Sequence, residues 1–161
     1  METLLPAAAR IAELLRRTGA TLAVSESSTG GLISAALLAV PGASAYFLGG
    51  AVVYTGIARA ALLDIGPAEM HGLRPASERY AQLLARTVRT RFASSWALAE
   101  TGATGPSGNR YGDAAGHCCL AVEGERVAIV TLETGSNDRV ANMRLFAAAA
   151  LDLLERSLPQ I

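Results

Sequence analysis

The sequence predicts an α/β fold, a three-layer α/β/α sandwich around a mixed, mostly parallel sheet. Three observations carry this. Helical and strand patterns alternate through the first half of the 161 residues. Two strand patterns joined at Glu123-Gly124-Glu125 end the sheet in a hairpin, so part of it is antiparallel. Several strand patterns are apolar without a break, as strands covered on both faces are.

The elements follow in order. Ala7, Ile11, Leu14 and Leu15 fall at helical spacing within Leu4 to Arg17, with Thr3 to cap the start and Gly19 to end the helix. Thr21 to Ser25 is a short buried strand. After Thr29-Gly30-Gly31 the chain turns helical again, with Leu32, Ile33, Ala36, Leu37 and Val40 on one face, until Pro41-Gly42 stops it. Phe47 to Thr55 reads as a second strand, weakened at Gly49-Gly50, and Ala58 to Leu63 as a short helix. Gly66 to Pro75 is rich in turn residues. Ser77 to Phe92 is an amphipathic helix, with Tyr80, Leu83, Leu84, Val88 and Phe92 along one stripe. Trp96 to Glu100 is an apolar strand, and Thr101 to Asp113 reads as a polar, glycine-rich loop. Gly116 to Val122 and Val127 to Leu132 form the hairpin, and Gly135-Ser136-Asn137-Asp138 caps a last helix that runs to about Leu158.

Composition narrows the function. Length suits one domain covering residues 1–161, and 51% hydrophobic against 17% charged residues describes a globular chain. Fourteen basic side chains balance fourteen acidic ones, so the global field that draws proteins to nucleic acid or anionic membranes is missing. No apolar run has the length of a membrane helix, and the charged N-terminal stretch is unlike a secretory signal; the expected location is cytoplasmic. Every basic residue is arginine, which excludes Schiff bases, Ser–Lys dyads and a P-loop lysine. Cys118 and Cys119 are adjacent, face opposite sides of a strand, and read as small buried hydrophobes. With His71 and His117 they lack the spacing of a zinc site, and no metal or organic cofactor is expected.

Three loops can carry chemistry. Ser25-Glu26-Ser27-Ser28-Thr29-Gly30-Gly31 joins a strand to a helix, where free N–H groups favour an anion or a developing oxyanion. The same hydroxyls read equally as helix caps, and no base for a hydroxyl nucleophile is evident nearby. Tyr54-Thr55-Gly56-Ile57-Ala58-Arg59 offers a phenol and a guanidinium, or a packed tyrosine and a solvated arginine. Thr101-Gly102-Ala103-Thr104-Gly105-Pro106-Ser107-Gly108 suits a backbone cradle for an anion, or a flexible connection.

Together with His71-Gly72-Leu73-Arg74-Pro75, Val40-Pro41-Gly42-Ala43-Ser44 and Phe47-Leu48-Gly49-Gly50, these segments resemble, in order and spacing, the C-terminal domain of the CinA (competence/damage-inducible) family. That domain also occurs alone as nicotinamide-nucleotide amidase. The resemblance implies a hydrolase that converts nicotinamide mononucleotide and water into nicotinate mononucleotide and ammonia in pyridine-nucleotide salvage. It implies a homo-oligomer and a small nucleotide as partner; the family name also suggests a DNA-associated factor, but the balanced charge and the absence of a basic stripe speak against nucleic acid. By position it assigns Ser27 as nucleophile and Tyr54 and Arg59 to the catalytic group. Ser28, Thr29, Gly30, Gly31, Thr101, Gly102, Ala103, Gly105 and Arg144 fall against the substrate.

The chain departs from the family pattern in several places. The family lysine, able to act as a base, is Arg59 here, and arginine does not release its proton. The preceding Asn-Glu is Gly56-Ile57, and the Val-Ser after His-Gly is Arg74-Pro75. Near the last helix the family arginines fall at Arg139 or Arg144. Glu100, an acid at a strand end, is either a substitute base or a carboxylate bonded to a loop. These departures define the alternative, a catalytically impaired relative that binds a nucleotide or a partner.

Overall fold

The computed structural model describes residues 1–160. Its order is α1 (Leu5–Thr18), β1 (Leu22–Glu26), α2 (Leu32–Leu38), β2 (Phe47–Val52), α3 (Gly56–Leu63), α4 (Glu78–Phe92), β3 (Trp96–Ala103), β4 (His117–Glu123), β5 (Ala128–Glu133) and α5 (Arg139–Ser157). One five-stranded sheet has the order β2-β1-β3-β4-β5. β1 pairs in parallel with β2 and β3, whereas β3–β4 and β4–β5 are antiparallel. The sheet is therefore mixed, and four of its five strands point the same way.

Side-chain size divides the two faces. Val24, Leu98, Cys118, Leu120 and Val122 face α1, α2 and α5, packing on Ile11, Leu15, Ile33, Leu37, Phe146, Leu151 and Leu154. Ala23, Ala97, Ala99, Cys119 and Ala121 face α4, where Tyr80, Leu84 and Val88 fill the space that the alanines leave. Small side chains on this face let α4 lie close to the sheet. The two cysteines fall into different layers, as strand alternation requires, and neither is in a disulfide.

Several boundaries differ from the sequence reading. Thr3 does not cap α1; Glu2–Leu4 is a 3-10 turn and Leu4 is the N-cap without a side-chain bond, while Gly19 closes the helix in the left-handed region as expected. α2 stops at Leu38, two residues short of Val40. β2 ends at Val52, because Thr55 starts a helix instead of ending a strand: its hydroxyl accepts from Ala58 N–H at 3.1 Å. The largest correction concerns Thr101, Gly102 and Ala103. They are the end of β3 and pair with Cys119, Cys118 and His117 of β4. Composition there reads as a loop, but the antiparallel neighbour supplies partners that keep it extended.

The parallel strands β1, β2 and β3 end at the same edge of the sheet. β1 leads to β2 on one side, and β3 lies on the other, so the chain reverses its direction of travel between them. In open α/β sheets such a crevice beyond the strand ends is where ligands collect. No helix is long and apolar enough to cross a membrane among the described residues.

Candidate active site

A cavity of about 550 Å³ opens at this edge. Ser27 lines it after β1, Tyr54 and Arg59 after β2, and Thr101 and Gly102 at the end of β3. A smaller cavity of about 220 Å³ adjoins it, sharing Tyr54, Gly102 and Asn109, and adds Ser28, Ala103, Gly105 and Arg139. The three segments singled out in the sequence thus meet at one place.

The Ser27 turn is held by two buried carboxylates. Glu26 Oε2 accepts from Gly31 N–H at 3.0 Å and Ile33 N–H at 3.1 Å; Oε1 accepts from Ser34 N–H at 2.8 Å and Ser34 Oγ at 2.6 Å. Glu100 Oε2 accepts from Ser27 N–H at 3.0 Å and Thr29 N–H at 2.9 Å, and Oε1 accepts from Ser28 Oγ. Thr29 Oγ1 lies 2.8 Å from both carboxylates. The first donors of α2, expected to be free for a ligand, are therefore spent inside the protein. Glu100 is the loop-bonded carboxylate of the two options weighed above. Burial pushes its pKa up, against the pull of the Ser28, Thr29 and Ser27 donors.

Not every residue assigned by resemblance reaches the cavities. Thr29 is fully buried on the carboxylates. Gly30 and Gly31 shape the turn, with φ of 63° and 100°, a conformation that favours glycine, and line neither cavity. Arg144 is exposed on α5 and lines neither cavity, since α5 turns that face to solvent. Arg139 stands in its place: it donates to Gly105 O at 2.7 Å and Tyr54 Oη at 3.2 Å. Because Tyr54 Oη accepts from Arg139, its own proton is left to donate. Gly102 is required for packing as well. A Cβ there would lie 2.5 Å from His117 O and 3.0 Å from Cys118 Cα.

Cations that the sequence reading passed over complete the larger cavity. Arg74 and Arg110 line it beside Arg59, and no carboxylate does. Arg74 is neutralised by a bidentate pair with Asp113, at 2.6 and 3.0 Å, which holds Asp113 below its usual range. Arg59 donates to Ile65 O at 3.2 Å and stacks 5.8 Å from the Tyr80 ring centre; Arg110 lies 5.1 Å from the ring centre of Tyr111. Neither Arg59 nor Arg110 has a carboxylate partner among the described residues. Two uncompensated positive charges remain, an environment for an anion. Arg74 stood out only as a departure from a family motif, and Arg110 sat in a segment read as a loop. Neither carried a local signal of its own.

Ser27 Oγ has no protein hydrogen-bond partner among the described residues, so no base touches it directly. Among these residues no cluster of three or more His, Cys, Asp or Glu side chains is placed to hold a metal ion.

Comparisons with known proteins agree on one relationship. The model of the CinA C-terminal domain matches residues 5–158. The chain is 41% identical over 159 residues to a CinA-like protein of Myxococcus xanthus, covering 94% of this chain and 36% of that protein. It is 38% identical over 151 residues to a CinA-like protein of Trichormus variabilis, covering 92% and 36%. It thus spans about a third of the length of these curated relatives. A competence-damaged protein (CinA) superfamily structure from Enterobacter cloacae superposes with a TM-score of 0.89 at 25% identity, covering 97% of this chain and 92% of that one. The competence/damage-inducible protein CihA from Agrobacterium tumefaciens gives 0.86 at 28% identity, covering 94% and 93%.

Proposed function

The chain belongs to the CinA C-terminal domain family, and from that premise we propose that it is a hydrolase of a nucleotide carboxamide, converting nicotinamide mononucleotide and water into nicotinate mononucleotide and ammonia. The observation that carries the reading is the single cavity in which Ser27 meets Tyr54, Thr101 and two unneutralised arginines. Arg59 and Arg110 suit the phosphate of a mononucleotide, and Ser27 is the hydroxyl for attack on the amide carbon. The Tyr54 hydroxyl, its oxygen bonded by Arg139, is a donor for the charge that develops on the amide oxygen. A cytoplasmic, homo-oligomeric enzyme of pyridine-nucleotide salvage is the setting this reading carries.

The test is direct. Purified protein given nicotinamide mononucleotide releases ammonia, and Ser27→Ala removes the release. A wild-type protein that releases none defeats the proposal. One observation favours a second reading: Arg59 stands where the family has lysine and cannot take up a proton. On that reading the chain binds the nucleotide without turning it over, and calorimetry showing tight binding beside absent ammonia selects it.

A further inference from the structure

Ala76 lines the larger cavity with φ of 53°, a conformation that residues with a side chain rarely adopt. Its backbone is held from three sides. The carbonyl accepts from His117 Nε2 at 2.9 Å and from Arg74 Nη1 at 3.3 Å, and the N–H donates to Thr101 Oγ1 at 3.3 Å. Arg74 and Thr101 line the cavity themselves, whereas His117 does not. His117 is the first residue of β4, with its side chain buried. Groups from several elements face its ring. Glu133 of β5 meets Nδ1. Asp113, the partner of Arg74, lies 3.8 Å from Nε2, and Cys119 Sγ of β4 lies 3.5 Å from it. Beyond Cys119, Thr131 Oγ1 donates to Glu78 of α4 at 2.7 Å. Glu133, His117, Asp113 and Arg74 alternate in sign, and their charges cancel only while the ring is protonated at both nitrogens.

We propose that His117 is a proton-dependent positioning residue of this site. Its charged ring fixes the Ala76 backbone and the Arg74–Asp113 pair at the cavity, and loss of that charge loosens this wall and weakens binding of an anionic nucleotide. The ligand, though not the movement of the wall, rests on the reading given under Proposed function. The charged ring donates from both nitrogens, to Glu133 and to Ala76 O. A neutral ring keeps one N–H. The Glu133 carboxylate is the stronger acceptor and retains it on Nδ1, so Nε2 becomes an acceptor facing the Ala76 carbonyl. One of the three holds on Ala76 is then lost. At the same moment Asp113, beside the cavity-lining Arg74, loses a positive neighbour, and the group of four carries an excess negative charge. Both changes oppose an incoming phosphate. Burial pulls the ring's pKa down, but Glu133, the Ala76 carbonyl and Asp113 outweigh it and raise it, which favours the charged state. His117 lines neither cavity, so it acts through Ala76 and Arg74.

The test uses the full chain and follows the His117 ring by NMR, its signal assigned by its loss in His117→Gln. Hydrogen exchange of residues 73–77, corrected for the intrinsic effect of pH on exchange, reports the wall without any ligand. In wild type this segment is expected to exchange faster above the midpoint of the ring's titration. Glu133→Gln removes a charge from a side chain that is 58% exposed and lines neither cavity, so it spares the fold. It is expected to lower the ring's midpoint and to move the exchange transition with it. Exchange that is equal on both sides of the wild-type midpoint, or a transition that stays in place while the ring's midpoint moves, overturns the proposal. Calorimetry then compares nicotinamide mononucleotide binding across the same pH range. Wild type is expected to lose roughly fivefold or more in affinity that His117→Gln does not lose, the ligand's own titration being common to both. Linkage requires the bound nucleotide to raise the ring's midpoint by the logarithm of that ratio, which a purely structural histidine would not show. A midpoint unmoved by bound nucleotide overturns the coupling to binding. If the wall responds as expected but nicotinamide mononucleotide does not bind, the substrate reading falls and the positioning role of His117 stands.

Discussion

Replacing the Glu100 carboxylate by an amide sets an NH2 group among donors that now all point at oxygen. Ser27 N–H, Thr29 N–H and the Ser28 hydroxyl cannot all be satisfied by one amide oxygen. Leaving a buried donor unmatched costs about 1–3 kcal/mol, so Glu100→Gln is expected to lower unfolding free energy by roughly that amount in urea titration. An unchanged midpoint would show that the carboxylate does not hold the turn. Arg59 makes a different prediction. Its guanidinium has no carboxylate partner among the described residues and lines the cavity, so its loss falls on ligand binding more than on folding. A hydrogen bond to a charged group contributes about 1.5–3 kcal/mol, so Arg59→Ala is expected to weaken calorimetric binding of the mononucleotide by about 10- to 100-fold. Binding of the uncharged nucleoside should barely change. Equal weakening of both ligands would place Arg59 away from the phosphate.

The helices and strands present these groups through their ends. α5 begins at Asp138, whose carboxylate accepts from Ala141 N–H at 3.0 Å, and Arg139 follows at once. Removing such a cap costs about 0.5–2 kcal/mol. Asp138→Ala is thus expected to destabilise the protein by that amount in denaturant unfolding and to loosen the Arg139 contact with Tyr54. Strand β3 makes a stricter demand. Backbone atoms of β4 lie where a Cβ on Gly102 would go, and backbone cannot swing aside as a flexible side chain does. Overpacking of this kind costs about 1–3 kcal/mol. Gly102→Ala should therefore lower the unfolding midpoint, and a midpoint equal to wild type would refute the tight β3–β4 approach. These demands explain why Thr101 to Ala103 misleads on composition: its small residues serve a close strand pairing, not a free loop.

Across the molecule, one histidine ties the sheet to the cavity rim. His117 Nδ1 meets Glu133 and Nε2 lies 2.9 Å from Ala76 O, while Ala76 N–H donates to Thr101 Oγ1 at 3.3 Å. Both ring nitrogens face acceptors, which the doubly protonated ring satisfies. Burial alone pulls the His117 pKa down, but Glu133, Ala76 and Asp113 outweigh it and carry the value above 6.5. A folded-state value above the unfolded one means that the folded protein holds the proton more tightly. The stabilisation is complete below the unfolded value and is lost as pH rises through the folded one. Urea unfolding across neutral to mildly alkaline pH is expected to show stability falling in wild type and a flatter profile in His117→Gln. Identical slopes would detach His117 from the pH response.

Much of this protein was legible in the order of its residues. Unbroken apolar runs and helical spacing, punctuated by glycine and proline, located all five strands and all five α-helices, because a strand covered on both faces is apolar throughout and a helix buried on one face repeats every 3.6 residues. The strand-exit motifs placed Ser27, Tyr54 and Thr101 together, since parallel strands connected by crossing helices deliver their ends to one edge of the sheet. What lay beyond reach was set by contacts between distant segments. Pairing with β4 turned a predicted loop into strand, and Glu26 and Glu100 took up the donors that a local reading left free. The fold also brought Arg139 rather than Arg144 to the cavity and left Arg59 and Arg110 there without an opposing charge. Local patterns fix which element forms and which face is buried; the partner of a polar group depends on distant chain, as Glu100 lies 73 residues from Ser27 and 72 from Ser28.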